Sequence, residues 1–223
     1  RFTHILISVP PDQEGDVFYI NYKEFMKKLK KIKWIGYLSA TNIYGDYKGN
    51  FVYESSKTNP STQKGKNRLL AENQLLSFCK ELNLPIHIFR IAGIYGPKRN
   101  LIKKIKEKTI NNIYKKNQFF SRIYIDDLVM ILKASMFKPN PFSIYNISDN
   151  LPSNITDVIE YICHQIKVSI PDKKNYMDDE IRNNNESFFS ENKKINNELI
   201  KREFGYEFKY PSYIEGYKKL LED

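Results

Sequence analysis

At 223 residues the chain is long enough for one large domain. Its 41% hydrophobic and 14% aromatic content supply a packed core and exclude wholesale disorder. A net charge of +10 is spread over a Lys-, Asn- and Ile-rich chain and reads as compositional bias rather than a binding patch, and no apolar run reaches the length of a membrane span.

Thr3–Val9 is an apolar, β-branched run that reads as a buried parallel strand, ended by Pro10-Pro11. A helix is expected near Tyr22–Lys31, with Phe25, Met26, Leu29 and Ile32 on its inner face and Lys27, Lys28, Lys30, Lys31 and Lys33 on a solvated one. Trp34–Ser39 reads as a second buried strand, Asp46–Asn50 as a turn and Glu54–Pro60 as a loop. Gln63–Leu82 reads as a long amphipathic helix and Pro85–Ile91 as a third strand, stopped by Gly93–Pro97. Beyond it the pattern gives a helix over Leu101–Tyr114 and a strand over Phe120–Ile125. Asp126 is placed as the N-cap of a helix over Asp127–Met136, and Ser143–Ile147 as another strand. Strand alternating with helix argues a parallel α/β sheet. After residue 147 come a helix near Ile155–Ile166, a polar stretch over Lys173–Glu186 expected as a mobile loop, and helical segments within Asn192–Phe204 and Tyr213–Leu221.

Cys79 and Cys163 lack metal spacing and read as buried thiols of a reducing compartment, which places the protein in the cytoplasm. His4 and His87 lie on apolar strands and read as packed side chains; no metal site is expected. The nine glycines form no G-x-G-x-x-G or G-x-x-G-x-x-G turn.

The order and spacing of several short motifs carry a resemblance. They are Ile7–Pro11, Tyr37–Asp46, Glu54 with Pro60, Gln63–Glu72, Arg90–Pro97, Ser121–Asp127 and Tyr145–Ile147. Together they resemble the extended short-chain dehydrogenase/reductase family, the NAD-dependent epimerases and dehydratases of sugar nucleotides. Gly65–Arg68 and the segments Lys193–Asn197 and Tyr210–Tyr213 are similar to its atypical YeeZ-like branch.

The resemblance implies a fold: the back half of a doubly wound Rossmann-like parallel sheet with a small, mainly helical C-terminal region. It implies a partial NAD(P)-binding domain over 1–147, with 97–117 on the substrate side, and a substrate-side region over 148–223. It also implies that Thr3–Pro10 is the fourth strand, so that roughly seventy to eighty residues of the fold precede it in a longer protein. Without them, Ile5–Val9 is an exposed apolar edge, and this chain alone is not expected to hold NAD(H) tightly.

The chemistry of that family uses a Ser or Thr hydroxyl, a Tyr acid/base and a Lys cation. The matching positions here are Ala40, Lys64 and Arg68, with Glu72 retained. Lys64, Arg68 and the adjacent Thr41 are therefore the candidate catalytic residues. Ser8, Val9, Pro10, Ser39, Arg68, Ala92 and Gly93 are the candidate cofactor contacts, for NAD or NADP. The ligand implied is a nucleotide or sugar nucleotide, with no nucleic acid or membrane partner. The alternative is a non-catalytic nucleotide- or sugar-nucleotide-sensing protein on the same scaffold.

Overall fold

The computed structural model describes residues 2–222, apart from the side chains of Glu186 and Ser187. Its elements run β1 (His4–Ile7), α1 (Val17–Met26), β2 (Trp34–Ala40), a 3-10 turn (Thr41–Tyr44), β3 (Phe51–Val52), α2 (Gln63–Glu81), β4 (Ile86–Ile91) and β5 (Gly93–Tyr95). They continue α3 (Ile102–Lys106), β6 (Ile113–Tyr114), β7 (Arg122–Tyr124), α4 (Ile125–Phe137), β8 (Ile144–Ile147) and α5 (Ile155–Ile166). The last are β9 (Lys174–Asn175), α6 (Asp179–Phe189), β10 (Lys194–Ile195), α7 (Glu198–Phe204) and α8 (Tyr213–Glu222).

The main sheet is wholly parallel, in the order β1-β2-β4-β8, a Rossmann-like α/β arrangement. Side chains alternate between its faces. Ile35, Tyr37, Ile86 and Ile88 pack with Ala71, Leu75 and Phe78 of α2. Trp34, Phe89, Ile91 and Tyr145 pack with Leu128 and Ile131 of α4 and with Ile200 and Phe204 of α7. A third cluster joins α5 and α8 to the β5–β7 pair through Tyr95, Tyr124, Tyr213 and Tyr217. Both cysteines are buried, as the sequence suggests.

Several expectations need correction. β1 is half-exposed rather than the buried strand its apolar run suggests, with Leu6 on it and Val9 beyond it open to solvent as the exposed edge expected over Ile5–Val9, because it pairs only with β2 among the described residues. His4 on that strand is exposed as well. The first helix starts earlier than expected, because Asp16 caps it by accepting from the Tyr19 amide at 2.7 Å. It ends at Met26, so the lysines at 27–33 follow the helix instead of lining it. The expected helix over Leu101–Tyr114 stops at Lys106, and Lys108 takes a left-handed φ of 56°. Asp126 is not an N-cap: it lies in the first turn of α4, which begins after Tyr124. The polar stretch Lys173–Glu186 is β9 and most of α6, anchored by buried Tyr176 and Phe189.

A buried polar chain crosses the sheet. Glu72 of α2 accepts from the Ser39 hydroxyl of β2 and forms an ion pair with Arg90 of β4, Nη2 to Oε2 at 2.8 Å. Arg90 Nη1 donates to the Tyr44 hydroxyl at 3.0 Å and to the Glu54 carbonyl at 3.2 Å. Tyr44 donates to Asn146 Oδ1 of β8 at 2.6 Å, and the Asn146 amide donates to the Glu54 carboxylate at 3.0 Å. Burial pushes the Tyr44 phenol up to about 12 and raises the Glu54 carboxyl. Burial also pulls on the Arg90 guanidinium, but the Glu72 bonds and charge outweigh it and hold the cation above its ordinary value.

Two further buried carboxylates differ in what they hold, and Asp127 fastens the C-terminal region. Asp127 accepts from the Tyr206 hydroxyl and from the amides of Lys209 and Tyr210, all within 2.9 Å. Asp149, just beyond β8, accepts from the Leu151 amide at 3.1 Å, while its other oxygen is buried without a partner. Burial pushes its carboxyl up to about 7 from the ordinary 3.8; the Leu151 bond and the Arg122 charge only partly oppose this.

These arrangements set two expectations. Arg90→Ala strands the buried Glu72 carboxylate and should cost about 3–5 kcal/mol, read as a lower urea midpoint. A midpoint equal to wild type would contradict a structural role for the pair. The raised Asp149 carboxyl contributes stability that is fully present below its ordinary 3.8 and lost as pH rises through about 7. Asp149→Asn should therefore raise Tm more at about pH 8 than at about pH 5; an equal gain at both would contradict the shift.

Candidate functional site

The residues that build the site lie at the carboxyl ends of the main-sheet strands, where ligands of open α/β sheets bind. Gly45 ends the 3-10 turn with a φ of 74°, and a Cβ there would meet the Asn59 carbonyl at 2.0 Å, so the turn requires glycine. Gly65 lets α2 approach the same turn, since a Cβ there would meet the Asn42 carbonyl at 2.8 Å. The Thr62 hydroxyl caps α2 by accepting from the Gly65 amide at 3.1 Å. The positive end of a 19-residue helix is thereby fixed beside Thr41 and Asn42.

Between these elements lies a cleft of about 940 Å³. Thr41, Asn42, Thr62 and Lys64 form one wall. The loop after β5 and helix α3 form another, bearing Lys98, Arg99, Lys103 and Lys104. Arg122 and Lys193 add two further cations, and Glu191 is the one carboxylate among the described lining residues. Phe119, Phe120 and Phe188 give an aromatic side, with the Phe120 and Phe188 rings stacked at 4.7 Å.

Arg122 is the most deeply buried of these cations. Its Nη1 donates to the Phe120 carbonyl at 2.9 Å and to the Ser153 hydroxyl at 2.7 Å, while Nη2 is buried without a partner. Burial lowers its guanidinium below the ordinary value, opposed by the charge of Asp149. A positive cleft with a helix N-terminus on its wall fits phosphate oxygens.

The candidate residues separate into two groups. Thr41, Lys64 and Gly93 line the cleft. Arg68 does not: its Nη1 donates to the Leu38 carbonyl at 2.8 Å and its charge lies beside the Tyr37 hydroxyl. The Ser39 hydroxyl is buried and spent on Glu72. Ser8, Val9 and Pro10 are exposed just past β1, and Ala92 is buried where β4 ends. Motif matching did not single out Lys98, Arg99, Lys103, Lys104, Arg122 and Lys193 as site residues, although the Lys98-Arg99 and Lys103-Lys104 pairs after Gly96-Pro97 were a visible basic signal. No group of three or more His, Cys, Asp or Glu among the described residues is placed to hold a metal, and none of their helices is long and apolar enough to cross a membrane.

No family profile matches the chain. A dTDP-D-glucose 4,6-dehydratase of Dictyostelium discoideum is 28% identical over 178 residues, which is 70% of this chain and 40% of that protein, so the chain spans less than half of this curated relative. A functionally unknown conserved protein from Silicibacter pomeroyi is 37% identical, with a TM-score of 0.94 over 99% of this chain and 77% of its own. The dTDP-glucose 4,6-dehydratase of Bacillus anthracis, solved with NAD, matches with a TM-score of 0.76 at 20% identity, over 91% of this chain and 65% of its own. With the motifs, the parallel sheet and the cleft at its carboxyl edge, these likenesses identify the chain as a member of the NAD-dependent epimerase/dehydratase family of extended short-chain dehydrogenase/reductases.

Proposed function

We propose that the cleft binds a sugar nucleotide and that the chain is the substrate-binding part of an epimerase/dehydratase-type enzyme. The observation that carries this reading is the charge of the cleft. Among the described residues seven basic side chains line it, and the one carboxylate, Glu191, is already paired with Lys193 and the Ser61 hydroxyl. Two phosphates of a nucleoside diphosphate match that excess. The stacked Phe120 and Phe188 offer an apolar face for a base or sugar ring.

The carboxyl edge of the sheet fits NAD or NADP on its nicotinamide side. Gly93 is exposed there, and a Cβ on it would have only the Ser121 carbonyl, at 3.4 Å, within reach, so a flat ring can approach the backbone closely. Thr41 and Ala92–Gly93 would border that ring, and Ser8–Pro10 the adenosine side. When bound, the cofactor would supply hydride acceptance and return. Lys64, at the start of α2, would hold ligand oxygens, and the Thr41 hydroxyl would orient one of them.

A second reading is a binding or sensing module. The side chains at or beside two triad positions favour it, because the Ser39 hydroxyl is spent on Glu72 and Arg68 is turned away from the cleft to the Leu38 carbonyl. Calorimetry with dTDP-glucose tests the shared claim. Binding should weaken by about tenfold when Lys103 and Lys104 are both replaced by Ala, and should fall as salt rises. No binding, or binding indifferent to both changes, would overturn it. Formation of a 4-keto sugar from dTDP-glucose with NAD present would decide for the enzyme; binding without product would decide for the module only in a longer form of the protein that also binds NAD.

A further inference from the structure

The segment Glu191-Asn192-Lys193 reaches back from the C-terminal region and ties three loops together. The Asn192 carbonyl accepts from the amides of Tyr47 and Gly49, both at 3.0 Å, and its amide donates to Asp46 at 2.9 Å. Its side chain accepts from the Phe119 amide at 3.0 Å and donates to the Asn117 carbonyl at 2.7 Å. Glu191 Oε1 accepts from the Ser61 hydroxyl at 2.6 Å. Lys193 is thereby carried to the end of the 3-10 turn, where its Nζ donates to the Gly45 carbonyl at 2.9 Å and to Glu191 Oε2 at 2.6 Å.

A lysine ammonium has three N–H donors. The structure gives two of them partners, and the side chain, only 10% exposed, lines the cleft. Glu191, by contrast, has a partner on each oxygen. In the same 3-10 turn, Asn42 lines the cleft, and its side-chain oxygen is buried without a partner. One spare donor and one spare acceptor, held by a turn and the brace on it, suit an oxygen that both accepts and donates, such as a sugar hydroxyl.

We infer that Lys193 contacts the sugar of the bound nucleotide, donating its third N–H to a ring hydroxyl or carbonyl oxygen at the Thr41–Gly45 end of the cleft. This rests on the reading of the cleft as a sugar-nucleotide site and assigns its sugar end. Burial lowers the Lys193 ammonium below its ordinary value, which suits a donor held out of water. The phosphates then fall to the cations of the opposite wall, Arg99, Lys103 and Lys104.

The test compares dTDP-glucose with dTDP by calorimetry on the whole chain. Lys193→Met should weaken dTDP-glucose about tenfold and leave dTDP unchanged. Unchanged affinity for both would overturn the contact, and equal loss of both would move Lys193 to the phosphates and overturn the sugar assignment. Absence of binding to the wild-type chain would overturn the sugar-nucleotide reading with it. Lys193→Met also removes two structural bonds, so a second measurement avoids that variant. In wild-type protein carrying ¹⁵N-labelled lysine, the Lys193 Nζ signal, identified by its loss in Lys193→Arg, should shift with dTDP-glucose and stay in place with dTDP. A signal that moves with neither, while dTDP-glucose binds, would overturn the proposal.

Discussion

The Glu72–Arg90 ion pair is the contact on which the rest of the arrangement depends. Both side chains are almost fully removed from water, Glu72 at 1% and Arg90 at 5% exposure. A buried charge is tolerated only when it is paired and hydrogen-bonded. Glu72 takes Ser39 as a further donor, and Arg90 takes Tyr44 and the Glu54 carbonyl as further acceptors. The chain of bonds thus joins β2, α2, β4, β8 and the turn that opens the cleft. Packing alone would leave that turn free to shift, whereas each bond here has a direction and a length. Thr41, Asn42 and Gly45 inherit their positions from it.

The same bonds explain why the site differs from its expected composition. In the family's chemistry a hydroxyl near the end of β2 orients the substrate. Ala40 offers none here, and of its two neighbours Ser39 points inward to Glu72 while Thr41 lines the cleft. Arg68 is turned to the Leu38 carbonyl. Lys64, one turn earlier, is exposed at the helix start and lines the cleft. The helix periodicity separates the two cations: four residues apart, they share a side of α2 but end at different heights, one at the mouth and one against the sheet.

Legibility in the sequence followed the reach of each signal. The buried strands β2 and β4 were plain because their apolar runs are covered on both faces. α5 was read to its limits because Asn154 and Asp157 form a capping box and its apolar spacing is regular. α1 was misplaced because its start depends on Asp16, whose place at the helix start is set by tertiary contacts such as its amide bond to Gln74. α6 was hidden because its Asn- and Asp-rich composition is that of a loop, and its order depends on the burial of Phe189 against Tyr176. Motifs located one wall of the cleft. The opposite wall and the brace at Glu191–Lys193 come from segments far apart in the chain, and no local spacing announces that they meet.

The account's central claim is that the cationic cleft beside α2 is the ligand site, on a scaffold where Ser39 and Arg68 make structural bonds and Lys64, at the acid/base position, lines the cleft. A crystal structure of the chain with dTDP-glucose tests it most directly. The account expects diphosphate density between the start of α2 and Arg99–Lys104, within hydrogen-bond reach of Arg122 Nη2, with the Ser39–Glu72–Arg90 bonds intact. Density seated elsewhere, or a ligand that draws Ser39 and Arg68 away from their present partners, would contradict it.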